Sequence, residues 1–293
     1  MFRILSYAQM KAVLASNRSF PKHELLGDDR CDSALNKWRA KAIKIERCLL
    51  HALTSKFATE LDRDQALAIA NCRPGFYCGH WRCTPCYWRA YWERRQAAES
   101  MMLDMPRTAL SLATIICGVT HDGIDVAGQQ MQEFRGVWTE RASRVPNLAW
   151  MGFFEFDYVA PQSSDFGPFK AKTTLELGYD PMNELGALVV HFHGAVVHPV
   201  LAPEQLRCRF APAFPGYRRV QFRPEHRAKP LARNLDALVG YPMKLIPPKA
   251  ALFGRGSRSA KPRDARLLLF YNRLVTSLGG LDGLRFDGAI PQT

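Results

Sequence analysis

Two histidines bracket one phenylalanine in an apolar run, Leu188-Val189-Val190-His191-Phe192-His193-Gly194-Ala195-Val196-Val197. In a β-strand, successive side chains face opposite ways, so His191 and His193 share one face while Val190, Phe192 and Val196 take the other. Their α-carbons then stand roughly 7 Å apart, close enough for both imidazoles to converge on one ion. A lone histidine on a strand is ordinarily a hydrogen-bonded core or surface residue; two on one face of a buried strand call for something that binds them. A third ligand is expected from a neighbouring strand. The stretch Ala149-Trp150-Met151-Gly152-Phe153-Phe154-Glu155-Phe156-Asp157-Tyr158-Val159 is aromatic and strand-like, yet carries Glu155 and Asp157 on one face. Acids in so apolar a segment are costly unless paired or ligating.

A second group of ligand-type residues lies upstream. Cys72, Cys78, Cys83 and Cys86 fall within 15 residues of one another, and Cys83-Thr84-Pro85-Cys86 has the form of a zinc knuckle, a turn that aims two sulfurs at one tetrahedral ion. Cys72 and Cys78 are the expected completing pair, with His80 as the spare candidate for the fourth position. A closed thiolate site leaves no open coordination position, so this zinc is expected to be structural. Cys31, Cys48, Cys117 and Cys208 are scattered and read as small buried hydrophobes. After the knuckle, Tyr87/Tyr91 and Trp88/Trp92 are spaced four apart, as on a helix packed against it.

A third feature is Gly240-Tyr241-Pro242-Met243-Lys244, a tyrosine with a lysine three residues on. A phenol becomes a nucleophile when it is deprotonated or its target is made electrophilic, and a divalent ion beside it would do the latter to a phosphodiester.

The elements that must position these groups follow from periodicity and breakers. Residues 1–70 read as a helical N-terminal region and 71–100 as the zinc-binding knuckle with its aromatic and basic helix. Residues 101–250 form a mixed domain: a strand over 109–120, a helix over 127–143, the Glu155 strand, the His strand, a short strand at Val220-Gln221-Phe222 and a helix from Leu231 towards Tyr241. The connection between the Glu155 and His strands, rich in proline, glycine and serine, is expected to be an exposed loop. Residues 251–293 read as a basic tail ending with a helix near 267–278. The fold class expected is α+β: a central, mostly antiparallel sheet carrying the His pair, with helices on one face.

The chain has 293 residues, 47% hydrophobic and 23% charged, which excludes a disordered polymer. No apolar run reaches the roughly 20 residues that span a bilayer, and the N-terminus lacks a signal-peptide core, so a cytoplasmic protein is the expectation. A net charge of +13 favours polyanions. Arg218, Arg219 and Arg223 lie in a basic segment interleaved with Phe210, Phe214, Tyr217 and Phe222, the composition that single-stranded nucleic acid needs.

Cys-x-x-Cys, then a carboxylate strand, then His-hydrophobe-His, then Tyr-x-x-Lys: over roughly residues 72–248 this order resembles the rolling-circle replication initiators of plasmids and single-stranded DNA phages, within the His-hydrophobe-His endonuclease superfamily. The resemblance implies that His191 and His193 bind Mg2+ or Mn2+ together with an acid, Glu155 in the first instance and Asp157 as the alternative. It implies that Tyr241 attacks a DNA phosphate and keeps the 5′ end, that Lys244 assists, and that origin DNA, a host helicase and the replication machinery are partners. The chain departs from the family's pattern in three places. Leu188-Val189-Val190 precede the pair where many relatives have histidine or proline, Pro242 follows the tyrosine directly, and Ala237, beside Asp236, stands where some relatives carry a water-activating glutamate. A transposase or relaxase shares this chemistry. From another class, a zinc-dependent nucleic-acid-binding regulator would use the knuckle without catalysis. A two-histidine phosphoesterase is excluded because its paired His-x-Ser/Thr motifs are missing.

Overall fold

The computed structural model describes residues 33–73, 75–102, 105–121, 123–159, 168–179, 186–225, 231–240, 243 and 262–290. Contacts divide the chain into two units, one made of residues 1–90 with 247–281, the other of 91–246 with 282–293. The segment expected as a basic tail is therefore shared between them, because its last residues return to a sheet instead of trailing from the domain.

In the first unit, α1 (Ser33–Leu53) and α2 (Glu60–Asn71) come before the knuckle, and α8 (Ala265–Ser277) packs on α1. Helix α2 opens with a reciprocal cap: Thr59 Oγ1 accepts the Asp62 backbone N–H, and Asp62 accepts the Thr59 backbone N–H at 2.7 Å. Asp62 also receives Arg273 of α8 at 2.6 Å. Helix α3 (Thr84–Met102) starts at the knuckle, where the Glu46 carboxylate accepts the Thr84 backbone N–H at 2.5 Å, a negative charge at a helix N-terminus. Tyr87, Trp88 and Tyr91 are buried, as their four-residue spacing predicts.

The second unit is built on five antiparallel strands: β1 (Leu110–Thr120), β2 (Ala149–Val159), β3 (Ala187–Val197), β4 (Val220–Pro224) and β5 (Arg285–Ala289), in the order β4-β1-β3-β2-β5. The His strand is central, as expected. Between the strands lie α4 (Ile124–Ala142), α5 (Pro168–Glu176), α6 (Pro203–Phe210) and α7 (Leu231–Gly240), and α9 (Gly280–Leu284) leads into β5. Helix α5 occupies part of the connection expected to be a loop; its Thr173 and Thr174 are buried, and Thr173 donates to the Tyr217 carbonyl at 2.5 Å.

Phe192 sets the side of the sheet on which each residue falls. Its ring is fully buried, 5.0 Å from Phe134 and 5.3 Å from Trp138 of α4, and also meets Phe154 and Phe286. Across the ladder, Gly152 pairs with Gly194, and a Cβ on Gly152 would stand 2.4 Å from the Phe192 ring. The glycine directly after the second histidine thus gives the intervening ring its seat.

The opposite face is not an open platform. β3 is buried along its whole length, and Arg94 of α3 lies 4.4 Å from the Phe153 ring, on the histidine side. Arg94 also forms two hydrogen bonds to Asp287 of β5, at 2.9 and 2.7 Å, and Asp287 in turn accepts the Gly152 backbone N–H at 3.1 Å. The expectation of helices on one face alone is corrected accordingly: α3 reaches the histidine side as well, and the imidazoles lie under cover.

Burial alone would raise the Asp287 carboxyl, yet the Arg94 hydrogen bonds and charge hold it below its ordinary value. A depressed carboxyl contributes stability above the unfolded carboxylate range and loses it as pH falls through the folded value. Asp287→Asn should lower unfolding free energy by about 3 kcal/mol at pH 7. In urea denaturation at a series of pH values, the gap between parent and variant should close below about pH 4; a gap constant with pH would assign no role to the charge.

Candidate metal centres and catalytic face

The four cysteines come together in the first unit. Cys72 Sγ and Cys86 Sγ are 3.6 Å apart, Cys78 Sγ and Cys86 Sγ 3.7 Å, and all four sulfurs lie within 4.8 Å of one another. Four thiolates about 2.3 Å from a tetrahedral zinc stand about 3.8 Å apart, so the group could hold a metal ion such as zinc. Backbone N–H groups of Cys78 and Gly79 donate to Cys72 Sγ (3.4 Å) and Cys86 Sγ (3.3 Å), the usual support for a charged sulfur. His80 is not the fourth ligand. The Arg82 backbone N–H donates to its Nδ1 at 3.2 Å, so its Nε2 carries the proton and donates to Asn272 Oδ1 at 3.1 Å. Burial pushes this histidine down to about 4, which keeps it neutral. Asn272, fully buried on α8, also accepts from Trp81 Nε1 and donates to Gln65.

Hydrogen bonds from Cys78 and Cys83 hold Cys86 down to about 2. Cys78 is favoured as a thiolate by Cys83, but its bond to Cys86 and its burial push it up to about 12. Cys83 is raised by its bonds to Cys78 and Cys86, and Cys72 by burial. Zinc uptake at neutral pH should therefore release protons from the raised thiols, and apparent affinity should fall as the pH drops. Calorimetry in buffers of different ionisation enthalpy measures the count; zero released protons would contradict the assignment.

On the histidine face of the second unit, the expected residues are neighbours. The rings of His191 and His193 are stacked, 5.7 Å between centroids and 8° from parallel. Register pairs His191 with Glu155 and His193 with Phe153, yet each imidazole leans along the diagonal. His193 Nε2 is 3.2 Å from Glu155 Oε2, and His191 Nε2 is 3.2 Å from Asp157 Oδ2. Glu155 and both histidines are buried, whereas the Asp157 side chain is 43% exposed and marks the way in. The three groups expected around one ion form two adjacent pairs instead; among the described residues, the cysteines alone bring three or more ligand atoms within 4.8 Å of one another.

Two features set these pairs apart from ordinary core hydrogen bonds. His191 Nε2 is buried with no hydrogen-bond partner, although a carboxylate oxygen lies 3.2 Å away. Two ligands each about 2.1 Å from one ion stand about 3.0 to 3.4 Å apart, which is this spacing. The second feature is Thr114 of β1, opposite His193 in the register, whose Oγ1 lies 3.1 Å from His193 Nδ1. It fixes the ring so that Nε2 faces the carboxylate. His198 shows the contrast: Ser111 Oγ lies 2.7 Å from its Nε2 and the Leu201 carbonyl 2.8 Å from its Nδ1, so both ring nitrogens serve the fold.

Tyr241 and Lys244 lie outside the described residues. Helix α7, which ends at Gly240, packs on β3, and Gly240 sits close to the ring of Tyr91. The helix is tied to the sheet by Asn234, which donates to the buried Glu225, itself bound by Arg107 at 2.8 and 3.0 Å. Asp236 is a residue of this helix. Of the chain's other tyrosines, Tyr271 is fully buried in the first unit and Tyr217 is half-buried.

The basic segment divides. Arg218 and Arg223 are exposed, but Arg219 donates to the carbonyls of Ile116 (2.6 Å) and Cys117 (2.5 Å), closing the bulge in β1. Phe210, Phe214 and Phe222 are buried in the core beside Trp138 or Phe134 and offer no face to a base. Cys48 and Cys117 are buried as expected, Cys208 is exposed, and Cys31 lies outside the described residues. No helix among the described residues is long and apolar enough to cross a membrane.

Compared with protein-family models, curated proteins and solved structures, the chain matches none.

Proposed function

We propose that this chain nicks and rejoins single-stranded DNA through a tyrosine, as an initiator of rolling-circle replication. The observation that carries the reading is the pair of parallel imidazoles on the central strand of a five-stranded antiparallel sheet, each facing a carboxylate of the next strand. A helix that packs on the same strand ends one residue before Tyr241.

In this reading His191, His193 and Glu155, with Asp157 at the entrance, hold Mg2+ or Mn2+. Bound there, the ion would supply positive charge against a phosphodiester oxygen. Thr114 holds the His193 ring in the orientation that turns Nε2 towards the carboxylate. Tyr241 Oη attacks phosphorus, its proton passing to water, and the bond from phosphorus to the 3′ oxygen breaks. That oxygen takes up a proton and becomes the primer hydroxyl, while the 5′ phosphate stays on the phenol. Lys244 offsets the charge that builds on the phosphoryl oxygens. Attack by a 3′-hydroxyl on the phosphotyrosine reverses the step and rejoins the strand. A structural zinc on Cys72, Cys78, Cys83 and Cys86 completes the cofactor set; a cytoplasmic location, a host helicase and the replication machinery follow as partners of such an enzyme. A transposase or relaxase would use the same groups.

A second reading, a zinc-dependent nucleic-acid-binding regulator without catalysis, is favoured by one observation: the cysteines alone form a closed ligand set, whereas the histidines and carboxylates stand as two pairs.

Single-stranded oligonucleotides tiling the DNA around this gene, incubated with Mn2+, should give a covalent protein–DNA adduct on denaturing gels. Tyr241→Phe should abolish the adduct, and His191→Ala should lower its rate at least a hundredfold. Thr114→Val should cost about 10- to 100-fold in metal affinity or rate, with Thr114→Ser restoring most of it. An adduct that persists in Tyr241→Phe moves the nucleophile elsewhere; no adduct with any oligonucleotide leaves the regulator.

A further inference from the structure

We propose that the loop between Cys72 and Cys78 is a stacking platform for single-stranded nucleic acid. Most aromatic rings of the described residues are in the core, but two on this loop are not: Phe76 is 69% exposed and Tyr77 37%. Each carries a guanidinium, Arg73 Cζ 4.9 Å from the Phe76 ring and Arg89 Cζ 4.9 Å from the Tyr77 ring, and both arginines are exposed.

The rings are held, not loose. Phe76 N–H donates to the Arg73 carbonyl at 2.9 Å and Arg73 N–H to the Phe76 carbonyl at 3.4 Å, closing a tight turn in which Gly75 takes φ +84°. The next residues are anchored by the N–H bonds of Cys78 and Gly79 to the sulfurs. An exposed ring fixed in advance loses little freedom when a partner stacks on it.

Charge selects the partner. An apolar protein surface laid on these rings would strip water from Arg73 without supplying an anion. A nucleic acid strand supplies both halves, a flat base for the ring and a phosphate for the guanidinium. Bases within a duplex present their faces to one another, so the strand must be single. The proposal accepts the single-stranded substrate of the proposed function but not its chemistry, and it moves the aromatic half of recognition from residues 210–222, whose phenylalanines are buried, to the knuckle.

The test is fluorescence anisotropy with the full zinc-loaded chain and a labelled mixed-sequence 20-nucleotide DNA, single-stranded or as duplex, without Mg2+ or Mn2+, run in parallel on Tyr241→Phe. Phe76→Ala and Tyr77→Ala should each weaken single-strand binding about tenfold and leave duplex binding unchanged. Arg73→Gln with Arg89→Gln should lessen the slope of log affinity against log salt by about 1.4. Phe76→Leu keeps the apolar bulk without the π-face; with zinc content intact it too should bind weakly. Unchanged affinity in the Phe76→Ala/Tyr77→Ala chain, or full binding by Phe76→Leu, overturns the proposal, as does an equal loss for duplex. Failure to form an adduct bears on Tyr241 and not on this surface.

Discussion

The burial of one ring governs the rest of this sheet. Phe192 is locked between α4 and the paired glycines of β2 and β3, so β3 cannot slip by one residue without driving two imidazoles into an aromatic core and a phenylalanine out of it. That constraint places His191 and His193 side by side on the other face and brings Glu155 and Asp157 opposite them. The site is a consequence of packing on the side of the sheet where it is not.

Buried charge on that face is organised by neighbours. Arg94, Asp287, Arg107 and Glu225 are paired within hydrogen-bond reach, and each pair joins an element distant in sequence to the sheet: Asp287 joins β5 to α3, and Glu225 joins the start of β1 to α7 through Asn234. On the same face the buried Nε2 of His191 makes no hydrogen bond. That nitrogen lies 3.2 Å from the Asp157 carboxylate, a spacing that suits two ligands of one ion.

Much of this was legible in the sequence, for reasons that differ by element. Strands β1, β2 and β3 are apolar runs of strand length, the helix at 231–240 is strongly amphipathic, and the Cys-x-x-Cys spacing carries its own geometry. Thr114 could not be found, because its role depends on the register of β1 against β3, which a β-bulge between Ile116 and Gly118 shifts. β5 was hidden inside a segment whose charge suggested a tail, since Arg285-Phe286-Asp287 is short and its Asp287 is held by Arg94, nearly 200 residues away, and by the Gly152 backbone N–H as well as by its neighbour Arg285. Composition misled at Phe210, Phe214, Phe222 and Arg219: basic and aromatic residues mixed in sequence were sorted by folding, rings inward and Arg219 onto backbone carbonyls.

The central claim is that His191 and His193 are ligands held by their strand for a divalent ion. Pulsed EPR of Mn2+ added to the zinc-loaded chain tests it most directly. The account predicts nitrogen couplings from two imidazoles, one lost in His191→Ala and both in the double His191→Ala/His193→Ala chain. A spectrum of Mn2+ surrounded by water alone, unchanged by either substitution, would contradict it.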